Sequence, residues 1–344
     1  MVKYNLVERK PGSPTSVQTQ PTLGVIEALS AGLDAVLRHP WLLLIPILLD
    51  MFLWVGPRLH APALYQSLEP TFSQMTTDMS TSDARYAAQE LGKAVDQFFT
   101  QFNVFTWLSA MLVGVPVVNG GIDATLKLVT GSLPILWALD SFEIYLLMFV
   151  VLTLLGLMIS ALYWTLLGIY VRGEAFQLAD WFRQSWALWR KFSLLALIVV
   201  GVILMSFFPL SMAMFMLSVF SAGLASLIPL LALGIAIWLL LMCLFTPHGL
   251  VLHHMPLGRA INTSVLVVRA NFTPVAGLAV IASAISIGMG LIWEGLAADS
   301  WLRLIAIAGN AIISTGLIVA SLLFYNNRVA ILFESHHWPL PAGR

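Results

Sequence analysis

The runs SLLALIVVGVILMSFFPLSMAMFMLSV (193–219) and LASLIPLLALGIAIWLLLMCLFTP (224–247) carry no charged side chain, and the turn Ser221-Ala222-Gly223 sits between them. A helix needs about 20 apolar residues to cross a bilayer. Each run is long enough, and the short turn forces the two to run antiparallel. Across all 344 residues, AVILMFWYC supply 59% of positions and charged residues 10%, whereas a soluble domain carries roughly a quarter charged residues. No soluble core absorbs that much apolar surface, so the sequence predicts an all-α polytopic membrane protein.

Working outward, four more runs qualify as spans. Residues 41–57 (WLLLIPILLDMFLWVGP) are short and contain Pro46 and Asp50; residues 142–171 are long enough to cross and protrude; 275–293 and 303–325 are joined by EGLAADS. The prediction is six crossings arranged as three hairpins. Residues 1–24 lack an apolar leader core and read as a disordered polar tail, with 328–344 as the C-terminal tail.

Between the first two spans lies an insertion, 58–140. Its first part, LHAPALYQSLEPTFSQMTTDMSTSDARY, reads as loop, and residues 84–102 have the spacing of an amphipathic helix. TWLSAMLVGVPVVNGG (106–121) is apolar but only 16 residues long, which fits an interfacial or re-entrant segment; a crossing there would make seven spans.

Three units share a pattern of an amphipathic helix with a basic residue near its end, then an apolar span: VIEALSAGLDAVLRHPWLLLIPI, AFQLADWFRQSWALWRKFSLLALIVV and PLGRAINTSVLVVRANFTPVAGLAVI. Arg38, Arg190 and Arg269 hold the equivalent place, and Ser185 and Ser264 each precede their arginine by five residues. These helices read either as in-plane elements, with Arg38, Arg183, Arg190, Lys191 and Arg269 among lipid headgroups, or as connectors packed on their own bundle. The units are 25–171, 172–254 and 255–327.

Basic residues of the short loops cluster on the side of the termini, and the opposite short loops hold only Arg303. The positive-inside rule then places both termini in the cytoplasm and the insertion outside. With 17 basic and 17 acidic side chains there is no electrostatic footprint for nucleic acid, so the expected partners are the lipid bilayer and other membrane-protein subunits.

Catalytic patterns are sparse. Cys243 is the single cysteine, which rules out an internal disulfide and a thiolate metal cluster. Asp50 is the one carboxylate at membrane depth, where an ionisable group is expensive unless paired, and hence a functional candidate; an enzyme reading would need it to meet His60, Asp123 or Asp140. HHxPL occurs twice, at His253-His254 and His336-His337; these are candidate metal ligands, with His248 and Glu334 as further donors, against the reading that the pattern is only a repeated helix exit. Neighbouring histidines on a helix point about 100° apart, which disfavours joint ligation. No cofactor motif is present, and none is expected. The small residues Ala282, Ser286 and Gly290, and Gly316 and Ala320, allow close helix packing.

The repeated unit, carried by LADWFRQSWALWRKF, LGRAINTSVLVVRANF and the span end SLLFYNNR, resembles the integral-membrane domain fused to some bacterial glycerophosphodiester phosphodiesterases and its stand-alone relatives. The resemblance covers about 175–330, with 22–58 matching less closely, and implies a helical membrane domain. It does not carry the phosphodiesterase activity, which belongs to a separate soluble domain. The expected function is a non-catalytic scaffold or accessory subunit; the alternative is a carrier or permease for an apolar or lipid-like solute, its site lined by helices broken at Pro46, Pro116, Pro209 and Pro229.

Overall fold

The computed structural model describes residues 22–78, 82–109, 113–119, 135–296 and 300–335. In chain order the helices are α1 (Val25–Arg38), α2 (Leu44–Val55), α3 (Pro62–Asp78), α4 (Ser82–Gln101), α5 (Phe142–Arg172), α6 (Leu178–Phe220), α7 (Ala222–Ala225), α8 (Leu227–Met242), α9 (Thr246–Leu252), α10 (Leu257–Ala270), α11 (Phe272–Glu294) and α12 (Arg303–Ser335). Among the described residues five helical stretches are long and apolar enough to cross a membrane, and α1 with Pro40–Val55, bent by 94°, meets the same measure only as a pair, in the form of a broken span or a re-entrant loop. The chain is an all-α polytopic membrane protein in contact with lipid.

Local sequence explains where these rods begin and end. Ser141 caps α5 by accepting from Ile144 N, and Glu27 accepts from Gly24 N at the start of α1. Pro40 stops α1, because proline lacks an N–H and disfavours helix at the residue before it. The corresponding place in the second unit, Arg190-Lys191-Phe192, has no proline. There the amphipathic helix runs unbroken into the span, and α6 is one rod of 43 residues, about 64 Å at about 1.5 Å per residue. The separate second amphipathic helix expected from sequence is thus fused to its span, whereas the third, α10, ends at Asn271 before α11.

Helix α12 is the centre of the bundle: 44% of its most apolar window is buried, against 6% for the windows of α6 and of the α8–α9 stretch. Along it lies α1, burying Ala28, Ala35 and Val36. The approach depends on Gly32, where a Cβ would overlap Gly316 O and come within 2.7 Å of Ala320 Cβ. The Gly316–Ala320 pair read from the sequence as a close-packing step is the socket for α1, a small-residue contact of the kind that drives helix association in lipid. At the far end of the contact, Leu23 N donates to Asn327 Oδ1 and Arg328 Nη2 donates to Leu23 O.

The insertion departs from its sequence reading. Residues 62–78, expected as loop, form helix α3, which starts on Pro62 and packs antiparallel against α4, with Phe72 beside Gly92. Two short parallel strands, β1 (Arg58–His60) and β2 (Leu136–Ala138), tie the ends of the insertion together in the register Leu59↔Trp137. Its described segment at 104–119 is not a helical span. It makes one 3₁₀ turn (Val104–Leu108) and then, over 113–119, irregular chain with Val113 and Val115 buried. Trp107 and Leu108 press on α5 at Gly156, where a Cβ would come within 2.7 Å of Trp107 O. Phe105 meets Phe52 of α2 edge-on at 5.5 Å, so the insertion touches both α2 and α5.

Candidate functional site

Asp50 lies on the buried face of α2, 1% exposed. Its Oδ2 accepts from Val118 N at 2.8 Å; its Oδ1 accepts from Asn119 N at 2.9 Å and from Asn119 Nδ2 at 2.7 Å. Arg303, at the first turn of α12, completes the cluster. Its Nε donates to Asn119 Oδ1 at 2.9 Å, and its Nη1 donates to Trp293 O and Leu296 O at the end of α11. The carboxylate and guanidinium are thus bridged by one asparagine, and both reach the backbone of the Val118–Asn119 segment. This is a clamp joining α2, the insertion, α11 and α12. It holds irregular chain in place by satisfying N–H and C=O groups that would otherwise be buried bare.

Of the acid or base partners considered in the enzyme reading, the two that are described, His60 and Asp140, do not bond to Asp50. His60 is on β1, Asp140 is exposed ahead of α5, and Asp123 lies outside the described residues. What the sequence reading missed was Asn119. The one available signal was Arg303, the lone basic residue of the short loops on that side.

A second polar cluster sits at the other end of α5 and α12. Arg172 Nη1 donates to Val251 O at 2.6 Å and Nη2 to Gln184 Oε1, while its Nε and Nη2 bind Glu174, whose carboxyl is held below its usual range by that contact. Lys191 Nζ donates to His254 O and Met255 O, and His254 takes a left-handed φ of 49° in that turn. The two adjacent histidines part company. The ring of His253 lies 6.1 Å from that of Tyr325, whereas His254 sits in the field of Arg172, Lys191 and Glu174. Burial, reinforced by Arg172, holds the His253 imidazole at about 4 and also lowers that of His254.

Deeper in the bundle, Ser321 donates to Ile318 O and so accepts from His248 Nε2 at 2.7 Å, leaving His248 Nδ1 as a buried acceptor. Among the described residues no three His, Cys, Asp or Glu groups converge as a metal site. His336 and His337 lie outside the described residues, as does the structure of the Glu334 side chain.

Ser264 and Ser185, paired by the repeat, differ sharply. Ser264 donates to Met242 O at 2.7 Å and accepts from Phe245 N at 3.0 Å, so it bridges the break between α8 and α9. Ser185 is 1% exposed and its hydroxyl has no partner. It lines an open groove of about 420 Å³ between α5 and α6, formed by Met158, Leu162, Phe182, Arg183, Ser185 and Trp186.

Of the basic residues expected among headgroups, Arg38 and Arg183 are exposed and pair with Asp34 and Asp180 on their own helices, and Arg190 and Arg269 are exposed. Lys191 is half-buried, and its ammonium bonds to the His254 turn. In comparisons with protein-family models, with curated proteins and with solved structures, the chain matches none.

Proposed function

We propose that this chain is a non-catalytic scaffold or accessory subunit of a membrane complex, seated in a bacterial cytoplasmic membrane with both termini inside. The observation that carries this reading is the use made of buried charge: Asp50, Arg303 and Arg328 all bond to main-chain atoms of distant segments. Groups spent in this way fix architecture, since each is already committed to main-chain partners. The orientation rests on the clustering of basic residues near the termini.

The docking element is the outer half of α6. Met205, Phe208, Met212 and Phe215 are each at least half exposed and fall at the a and d spacing of a helix seam, with four Met and four Phe in 205–220. Methionine and phenylalanine provide adaptable, bulky knobs, whereas the Leu- and Ile-rich surface of α8 resembles the lipid it faces. The partner is an apolar transmembrane helix of another chain. The carrier reading is less well supported: Pro209 and Pro229 face outward, and the interior between α5, α9 and α12 is filled by Tyr163, Phe192, Phe245, Leu250, Phe324 and Tyr325.

Affinity purification in mild detergent, with the seam changed to M205L/F208L/M212L/F215L, tests this. A distinct membrane protein should co-purify in constant ratio and be lost from the variant. Recovery of this chain alone at every concentration, or only as copies of itself, would overturn the reading.

A further inference from the structure

The groove between α5 and α6 carries three features that a plain lipid-facing seam lacks. Ser185, a residue of its lining, carries a hydroxyl that is buried and unpartnered, which costs free energy of the order of a lost hydrogen bond. Arg183, whose side chain is 80% exposed, is part of its lining, and Arg190, seven residues on, stands on the same helix face two turns beyond it. Between them lie Trp186 and Trp189, ring centroids 4.8 Å apart, with Trp189 Nε1 donating to Leu154 O. Indoles of this kind favour the boundary between headgroups and acyl chains. The acidic group beside Arg183 is Asp180, which engages one of its nitrogens.

From the groove an apolar stripe runs along α5. Leu147, Val151, Leu154 and Leu155 are exposed in line with Met158. Met158 to Leu147 spans about 16 Å at about 1.5 Å per residue, close to half of a hydrocarbon core about 30 Å thick. The groove thus joins a cationic, hydrogen-bonding mouth to a channel one leaflet deep.

We propose that this groove is a specific site for one anionic phospholipid. Its phosphate lies against Arg183 and Arg190, Ser185 donates to its glycerol or ester oxygens, and one acyl chain follows the α5 stripe. Both arginines act as fixed charges, and the guanidinium of Arg183 retains donors beyond its bond to Asp180 for a phosphate. An uncharged headgroup would satisfy the hydroxyl but leave the charge unanswered, and free phosphate would leave the groove empty.

Native mass spectrometry of the delipidated full chain tests this, with dioleoyl-phosphatidylglycerol, dioleoyl-phosphatidylcholine and glycerol 3-phosphate as separate probes. One phosphatidylglycerol should be retained in preference to phosphatidylcholine, and R183Q/R190Q should weaken that retention by about tenfold or more, given about 1 kcal/mol per basic residue near anionic lipid. M158W, which fills the groove and leaves both arginines in place, should abolish retention, and R183K/R190K should largely restore it. Equal retention of both lipids, retention unaffected by either the glutamine pair or M158W, or binding of glycerol 3-phosphate as strong as that of the lipid would each overturn the proposal.

Discussion

A carboxylate taken out of water is tolerated when its lone pairs meet donors, and at Asp50 three N–H groups and the nearby Arg303 charge do this. Asp50→Asn replaces an acceptor with a donor facing donors. It should cost about 2–4 kcal/mol, read as a lower Tm in detergent, because breaking a buried charged network leaves the partner uncompensated. An unchanged Tm with loss of a measurable activity would instead make Asp50 a chemical group.

The two repeat-related serines give a paired test. Ser264→Ala strips Met242 O and Phe245 N of their partner and should destabilise by about 1–3 kcal/mol, while Ser185→Ala removes a hydroxyl with no protein partner and should be near neutral without lipid. The sequence placed these serines in one class, and nothing in it distinguished them, since the difference lies in the α8–α9 break that only Ser264 faces.

His253 makes a prediction in pH. Folded, its imidazole binds a proton only near 4; unfolded, near its ordinary 6.5. As pH falls from above 6.5 toward 4 the unfolded chain takes up the proton first, so stability declines through that window. The groups around it are Arg172, His254 and Tyr325, with Lys191 and Glu174 beside His254. His253→Gln should flatten the decline of Tm between pH 6.5 and 4 without removing it, because His254 is lowered too.

At the scale of elements, the long apolar runs were legible because a bilayer demands about 20 apolar residues, and that demand is written in composition. The cap at Ser141 and the stop at Pro40 are local effects of single residues. Helix α3 was not: its Thr, Ser and Pro content suggests loop, and its helicity comes from packing against α4, a tertiary effect that local propensity does not record. The buried course of 113–119 was hidden for the same reason, because Asp50 and Arg303 reach it from 68 and more than 180 residues away. Close packing of α1 on α12 offers the sharpest test of an element. Gly32→Leu should push α1 off Gly316 and Ala320 and lower Tm by several degrees, while Gly277→Leu, on α11 with open space around it, should change little. Equal effects at both positions would mean that α1 does not sit in this socket.

For the whole molecule, the uneven burial of its spans is the leading fact: α12 is nearly half buried and α6 and α8 stand almost bare. Lipid alone satisfies a Leu-rich helix, but a seam of Met and Phe at a and d spacing calls for a partner with complementary shape. The most direct test is site-specific photo-crosslinking in intact membranes, with the reactive residue placed in turn at Met205, Phe208, Met212 and Phe215 and, on the opposite face of α6, at Ile203 and Leu210. A discrete adduct to one other membrane protein at all four seam positions, and lipid adducts alone at Ile203 and Leu210, is the expected result. Lipid adducts alone at every position would contradict the proposed role.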